Sequence, residues 1–331
     1  MECGLSSLKE LGELGVIRIM ERSFGTSRRT VVGFGDDVSV VKFPNHQLAV
    51  LKTDMLVGST DVPSGMTLRQ AARKAVVANV SDLAAKGARP YAGIVALGLP
   101  RTLTRRSVQE IASGLSEAAR EYGFPLVGGD TNESKDLVIS IALFGVNHAR
   151  KLMLRSGAKV GDIIAVTGEF GSASAGLRAV LDRRISPEKL PGALSSAIYY
   201  PNAELDVGLR LASSGSITAC IDSSDGLAWS LHQLSQMSKV GIRVEEVPIS
   251  KAARKFAARF GYDALDLALY GGEEYNLIVT IKSAQLRTAQ KAAGGRLKPI
   301  GVVTKKSEGL HLVRVSGDIK IRMEGWEHFR R

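Results

Sequence analysis

The chain has 331 residues, long enough for two domains, and its formal net charge of +11 suits an anionic partner such as a polyphosphate nucleotide. Aromatic residues make up only 5% of the chain, which leaves little material for stacking nucleic-acid bases, so nucleic-acid binding is disfavoured. The only cysteines, Cys3 and Cys220, exclude a disulfide framework and a CxxC metal site.

The N-terminal segment is predicted to form an amphipathic helix over residues 5–24, because Leu8, Leu11, Leu14 and Ile17 are spaced for one face. Acidic residues in this stretch do not fit the basic-then-apolar layout of a signal peptide. No apolar run in the sequence approaches the roughly 20 residues that a membrane span needs. These features favour a cytoplasmic protein.

The first half of the chain alternates strand and helix patterns. Apolar runs and helical stripes predict, in chain order, a strand at 47–57, a helix at Leu68–Lys86, a strand at 92–99, a helix at Val108–Tyr122, a short strand leading to 128–130 and a strand at Leu137–Val146. This order resembles a split βαβ arrangement of the ferredoxin-like type.

A polar, basic stretch at Asn147–Lys159 predicts the boundary between two domains, 1–148 and 149–331. Beyond it the patterns predict a strand at Ile163–Thr167, a helix near Ala173–Leu181, a loop over 182–196, helices at about 202–213 and 227–239, and strands at 217–221, 241–247 and 275–281.

Six short acidic motifs are the strongest functional signal. They are Gly35-Asp36-Asp37, Thr53-Asp54, Ser81-Asp82, Gly128-Gly129-Asp130-Thr131, Asp222-Ser223-Ser224-Asp225-Gly226-Leu227 and Gly271-Gly272-Glu273-Glu274. Carboxylates that follow apolar runs beside Gly, Ser and Thr are expected at the mouth of a cleft. Oxygen ligands without matching His or Cys clusters suit Mg²⁺, which usually works by bridging substrate phosphates. The motifs therefore predict a magnesium-dependent phosphoryl-transfer enzyme.

Two motifs allow alternatives. Asp82 is predicted near the C-terminal end of its helix, where a carboxylate is unfavourable unless a cation such as a bound metal compensates. The alternative is a solvated Asp, or one paired with Lys86 four residues on. The segment 128–131 suits a hairpin turn, and equally a backbone that approaches a phosphate closely. Neither a P-loop nor a GxGxxG pattern is present.

Taken together, nine segments resemble the thiamine-monophosphate kinases of the aminoimidazole-ribonucleotide-synthetase-like superfamily. They are LGELGVI (11–17), GFGDD (33–37), KTDMLV (52–57), NVSDLAAKGA (79–88), LVGGDT (126–131), RSGAKVGD (155–162), DSSDGL (222–227), YGGEEYNL (270–277) and GWEHF (325–329). The resemblance implies an α+β protein in which a ferredoxin-like N-terminal domain, paired with its twin in a homodimer, precedes an α/β sandwich C-terminal domain. It also implies that ATP and several Mg²⁺ ions bind between the domains.

The resemblance further implies roles for particular residues. The metal ligands would be Asp37, Thr53, Asp54, Asp82, Asp130, Asp222 and Asp225. ATP would contact Gly129, Asp130, Arg155 and Ser224, and the substrate would contact Glu273 and Trp326. Asp61 is predicted to contact the substrate because it lies where the family has its GVHF substrate segment. The chain departs from the family pattern at three places: Lys52 replaces a metal-binding Thr, Gly58-Ser59-Thr60-Asp61 replaces a GVHF segment, and Glu274 replaces an Asp.

The leading hypothesis is ATP-dependent phosphorylation of thiamine monophosphate to thiamine diphosphate by direct in-line transfer. No nucleophile–base pair is visible, and phosphoryl transfer needs none. The alternatives are another ATP-dependent enzyme of the superfamily, or a catalytically inactive basic module that binds nucleotides or RNA.

Overall fold

The structure is a computed structural model that describes residues 7–24, 27–45, 47–148 and 152–325. The N-terminal half contains, in chain order, α1 (Leu8–Phe24), β1 (Thr30–Val32), β2 (Ser39–Lys42), β3 (Gln47–Val57), α2 (Gly58–Asp61), α3 (Leu68–Ala85), β4 (Arg89–Leu99), α4 (Arg105–Glu121), β5 (Leu126–Glu133) and β6 (Val138–His148). Each element predicted from the sequence in this half is present.

The strands of this half form one sheet in the order β1-β2-β3-β6-β4-β5. β6 runs antiparallel to both β3 and β4, whereas β4 and β5 are parallel and are connected through α4. Parallel neighbours need such a crossover connection. The predicted α+β class is confirmed, and the ferredoxin-like description stays a prediction.

The C-terminal half contains β7 (Ile163–Val166), α5 (Ser172–Leu181), α6 (Gly192–Tyr199), α7 (Leu205–Ser214), β8 (Ile217–Asp222), α8 (Leu227–Ser238), β9 (Gly241–Val244), α9 (Lys251–Phe260), α10 (Ala264–Tyr270), β10 (Leu277–Ile281), α11 (Leu286–Ala292), β11 (Lys298–Thr304), β12 (Leu310–Leu312) and β13 (Ile319–Lys320). Its strands form a second sheet in the order β13-β12-β9-β11-β7-β10-β8. Helices cover both faces of this sheet: α8 and α10 pack on one face, and α3 and α7 on the other.

The predicted loop over 182–196 is wrong at its C-terminal end, where α6 begins at Gly192 directly after Pro191. Leu194 and Ile198 are four residues apart, so both project from one face of α6, and both are buried. None of the described helices is long and apolar enough to cross a lipid bilayer.

Helix α3 lies between the two sheets and brings the halves together. It begins with a capping box, in which Thr67 Oγ1 accepts from the backbone N of Gln70 (3.2 Å) and Gln70 Oε1 accepts from that of Thr67 (2.7 Å). Most of its residues are small and buried, and it contacts β3 and β6 as well as β8 and α7. The approach of α7 is so close that a Cβ on Gly208 would lie 2.1 Å from the carbonyl oxygen of Ala84. The division into domains 1–148 and 149–331 stays a prediction.

Candidate functional site

Three aspartates from separate elements meet where the two sheets approach each other. Asp37 lies in the turn between β1 and β2, Asp82 in the last turn of α3, and Asp222 at the end of β8. All three are buried, and one carboxylate oxygen of each lies within 4.8 Å of the others. The predicted ligands Asp37, Asp82 and Asp222 are therefore brought together.

The acidic groups of this cluster repel one another. Burial raises the pKa of Asp82 well above its usual value, and Asp222, Asp37 and Asp54 raise it further while Lys52 opposes them. Burial and the charge of Asp37 raise the pKa of Asp222 to about 6. Burial and the charge of Asp222 raise the pKa of Asp225 to about 7. A set of buried oxygen donors whose charges repel one another is chemically suited to a hard divalent cation such as Mg²⁺.

Asp37 differs from its neighbours because two cations touch it. Lys86 Nζ lies 2.6 Å from Asp36 Oδ1 and 2.6 Å from Asp37 Oδ2, and it donates to the carbonyl oxygen of Cys220 (3.0 Å). Arg155 Nε donates to Asp37 Oδ1 (2.7 Å). Although burial alone raises the pKa of Asp37, Arg155 and Lys86 outweigh it and lower that pKa. Arg155, a predicted ATP contact, therefore lies at the edge of the cluster.

Asp82 forms an ion pair with Lys52 and not with Lys86, the residue that lies four positions after it in the sequence. Lys86 is four residues away but pairs with Asp36 and Asp37, so the alternative that it neutralises Asp82 is wrong. Instead Lys52 Nζ lies 2.7 Å from Asp82 Oδ2 and 3.8 Å from Asp54 Oδ2. The predicted ligand Asp54 therefore reaches the cluster through this lysine.

Two of the predicted metal ligands, Thr53 and Asp130, do not reach the cluster within one chain. Asp54 lies in register with the buried residue Ile141, on the face of the sheet that α3 covers. Since side chains alternate along a strand, Thr53 projects from the opposite face. Asp130 is on the edge strand β5. Strands β6 and β4 lie between β5 and β3, so the two strands are about 14 Å apart at the usual strand spacing. Their roles as ligands stay predictions.

The segment 128–131 lies inside β5, so a hairpin turn there is wrong. A Cβ on Gly129 would lie 1.8 Å from the carbonyl oxygen of Val95, whereas one on Gly128 would meet nothing within 4 Å. Gly129 is therefore required by the close contact with β4. Its role as an ATP contact stays a prediction.

The predicted substrate residues Asp61 and Glu273 are joined by Lys74, a buried lysine of α3. Lys74 Nζ forms an ion pair with Glu273 and donates to the carbonyl oxygen of Asp61 (2.8 Å). The Asp61 carboxylate accepts from the backbone N of Val57 (2.7 Å). Lys74 of the N-terminal half thus holds the loop of the C-terminal half that carries Glu273.

That loop packs against the Asp222–Gly226 loop. The backbone N of Glu273 donates to the carbonyl oxygen of Ser224 (2.6 Å), which fixes this predicted ATP contact beside the substrate residue. Trp326 lies outside the described residues. Its neighbour Gly325 passes so close to the same loop that a Cβ would lie 2.5 Å from the carbonyl oxygen of Asp225.

Glu274, which replaces an Asp of the family pattern, binds backbone N–H groups at a helix terminus. It accepts from the backbone N of Gly171 (2.6 Å) and of Ala173 (3.1 Å), at the N-terminus of α5. Burial raises its pKa to about 7, although these hydrogen bonds oppose the rise. Its carboxylate therefore caps a helix.

Sequence reasoning missed the cation Lys74, and it offered Lys86 as a partner for the wrong carboxylate. Lys74 lies on α3, where many of the other residues are small and apolar, and Lys86 directly follows the last residue of that helix; both lysines are buried. A lysine on an otherwise apolar helical stripe indicates a buried ion pair, and this signal was present in the sequence.

The matches with known proteins cover nearly the whole chain. The models for the N-terminal and C-terminal domains of AIR synthase related protein match residues 35–147 and 159–313. The thiamine-monophosphate kinase of Nitrosopumilus maritimus (strain SCM1) is 36% identical over 326 residues, which are 98% of this chain and 100% of that protein. The enzyme of that name from Pyrococcus horikoshii is 32% identical over 98% of each chain.

A solved structure adds the three-dimensional comparison. AaThiL complexed with AMPPCP and TMP aligns with a TM-score of 0.85 at 28% identity, over 98% of this chain and 99% of that one. Sequence and fold therefore agree over both halves of the molecule. The chain belongs to the AIR synthase related family and, within it, to the thiamine-monophosphate kinases.

Proposed function

We propose that this protein transfers the γ-phosphate of ATP to thiamine monophosphate and forms thiamine diphosphate. The observation that carries the proposal is the buried meeting of Asp37, Asp82 and Asp222, with Arg155 at its edge. The similarity to thiamine-monophosphate kinases and to AaThiL complexed with AMPPCP and TMP supports the choice of both substrates.

The reaction joins two anions. A phosphate oxygen of thiamine monophosphate attacks the γ-phosphorus in line, the bond from that phosphorus to the β,γ-bridging oxygen breaks, and ADP leaves with the electron pair. Bound Mg²⁺ would neutralise charge on the phosphate oxygens. Asp37, Asp82 and Asp222 would hold it, and the charged oxygen atoms of ATP fit the guanidinium of Arg155.

Two further predicted ligands interact electrostatically with the same cluster. We propose that Asp54 and Asp225 bind ions that arrive with ATP, since both interact electrostatically with the cluster. The Lys74-linked pair, Asp61 and Glu273, is proposed to receive the thiamine end of the substrate. Trp326 is proposed to stack on the cationic ring, as the sequence predicts.

A homodimer is part of the proposal. The face of the N-terminal sheet opposite α3 exposes large apolar side chains: Leu51, Met55, Tyr91, Ile94 and Val127. An apolar sheet face of this kind is a typical interaction surface. Thr53 and Asp130 lie on the same face, so a second copy packed there would approach both. The proposed location is the cytoplasm.

The decisive experiment is to incubate the purified chain with ATP, Mg²⁺ and thiamine monophosphate and to measure thiamine diphosphate by chromatography. We expect product that depends on all three additions and disappears in EDTA. ATP bound without turnover would instead favour the inactive nucleotide-binding module. Turnover with a different acceptor would favour another enzyme of the superfamily.

Mutation of the acidic cluster provides a second test. Asp54→Asn and Asp82→Asn should each abolish product formation while the protein stays folded by thermal melting without metal. Near-normal activity in both variants would contradict the metal-cluster assignment.

A further inference from the structure

Lys52 lies within the acidic cluster itself. It is on β3, two residues before Asp54, so both side chains project from the same face of the sheet. Its ammonium lies 2.7 Å from Asp82 Oδ2 and 3.8 Å from Asp54 Oδ2. Only 18% of its side chain is exposed. One ammonium therefore stands between carboxylates from two different elements.

The neighbours of Asp82 divide into two sets. Lys52 and Asp54 lie on the β3 side, and Asp37 and Asp222 lie with Asp82 in the three-carboxylate cluster. Lys86 and Arg155 neutralise Asp37 and do not bridge Asp54 to Asp82. Among the described residues, Lys52 is the cation for which an ion pair with Asp54 or with Asp82 is observed.

We propose that the Lys52 ammonium is a built-in cation of this site, and that in the nucleotide-free protein it takes the place of a divalent ion bridging Asp54 and Asp82. The inference rests on the proposed magnesium-dependent function. A divalent ion that binds the protein without nucleotide would then lie in the cluster of Asp37, Asp82 and Asp222. Strand β3 and helix α3 would also be held in position before any metal binds.

A purely structural ion pair would give the same distances, so the test counts bound metal ions. The full chain, stripped with EDTA and free of nucleotide, is titrated with Mn²⁺, and bound ions per chain are counted by electron paramagnetic resonance. Lys52→Met removes the charge and preserves much of the apolar stem. Lys52→Arg keeps the charge. Lys42→Met, at an exposed lysine on the neighbouring strand β2, is the matched control.

We expect Lys52→Met to bind one more Mn²⁺ per chain than the wild type. Lys52→Arg and Lys42→Met should bind the same number as the wild type. An unchanged count in folded Lys52→Met would overturn the proposal, because the ammonium would then not occupy a metal position.

A second variant keeps the test decisive if Lys52→Met does not fold. Asp54→Asn, with Lys52 in place, should leave the number of Mn²⁺ ions bound without nucleotide unchanged, since no divalent ion bridges Asp54 to Asp82. Loss of one bound Mn²⁺ would overturn the proposal. Because neither count requires ATP or thiamine monophosphate, failure here is distinct from failure of the wild type to form thiamine diphosphate.

Discussion

Replacing Asp222 by Asn should stabilise the metal-free protein while removing its activity. Burial and the charge of Asp37 raise the pKa of this carboxyl from 3.8 to about 6, which makes its ionisation in the folded state less favourable by about 3 kcal/mol. Asn has nearly the same shape and no charge, and its Oδ1 can still accept the 2.6 Å hydrogen bond from Ser81 Oγ. At pH 8 the variant should therefore gain up to about 3 kcal/mol.

The pH dependence of this gain has a defined sign. Between the unfolded pKa and the raised folded pKa, the folded wild type holds the proton that the unfolded chain releases, so its free energy of unfolding falls as pH rises from about 4 to about 6. Above that range the carboxyl is ionised in both states and contributes no further change. The advantage of Asp222→Asn should be about half as large at pH 5 as at pH 8, and close to zero at pH 3.

The assay is thermal melting in EDTA at pH 5 and pH 8. At about 2.1 cal/mol/K per residue, 3 kcal/mol corresponds to a rise in Tm of about 4 °C for this chain. Exposed Asp318→Asn is the control and should change Tm little. Addition of Mg²⁺ should raise the Tm of the wild type and not that of Asp222→Asn. A variant that melts below the wild type in EDTA at pH 8 would refute the argument from burial and repulsion.

Three further predictions concern other parts of the chain. Gly129→Ala should lose more than about 2 kcal/mol in urea unfolding, because its Cβ would collide with Val95, whereas Gly128→Ala should stay within about 0.5 kcal/mol; equal losses would contradict the close-contact argument. Met55→Asp should convert a dimer into a species of 35.3 kDa by light scattering, and a wild type that is already monomeric at micromolar concentration would contradict the dimer. Trp326→Ala should raise KM for thiamine monophosphate by up to about tenfold and leave KM for ATP unchanged. If only Tm falls, the indole is a hydrophobic plug.

The elements with the strongest periodicity were predictable from the sequence. β3 was predicted at 47–57 and α3 at Leu68–Lys86, and the structure agrees within one residue at each end. α6 was missed because Pro187 and Pro191 make its neighbourhood resemble a loop, although Leu194 and Ile198 carry a helical spacing. Proline at the start of a helix is compatible with helix formation, so Pro191 is no argument against a helix that begins at Gly192.

The acidic residues of the site were predictable, whereas the ion pairs that its lysines form were not. The motifs identified Asp37, Asp82 and Asp222 because carboxylates beside small residues at strand or helix ends are a local pattern. The ion pair between Lys74 and Glu273 joins residues 199 positions apart, and only tertiary packing decides such pairs.

Sheet geometry sets a further limit on prediction from motifs. Thr53 is adjacent to Asp54 in the sequence, yet it projects from the other face of β3, and Asp130 is on the far edge strand. A linear motif carries neither the face on which a side chain emerges nor the order of strands in the sheet.

The position of α3 between two sheets has a consequence for how the molecule unfolds. A chain cut between residues 148 and 152 would leave the C-terminal fragment without the helix that covers β8 and α7, and the N-terminal fragment with an uncovered side of α3. Each fragment alone would expose part of the shared apolar core. We therefore expect a single cooperative transition for the intact chain, and fragments that recover native structure only when they are mixed.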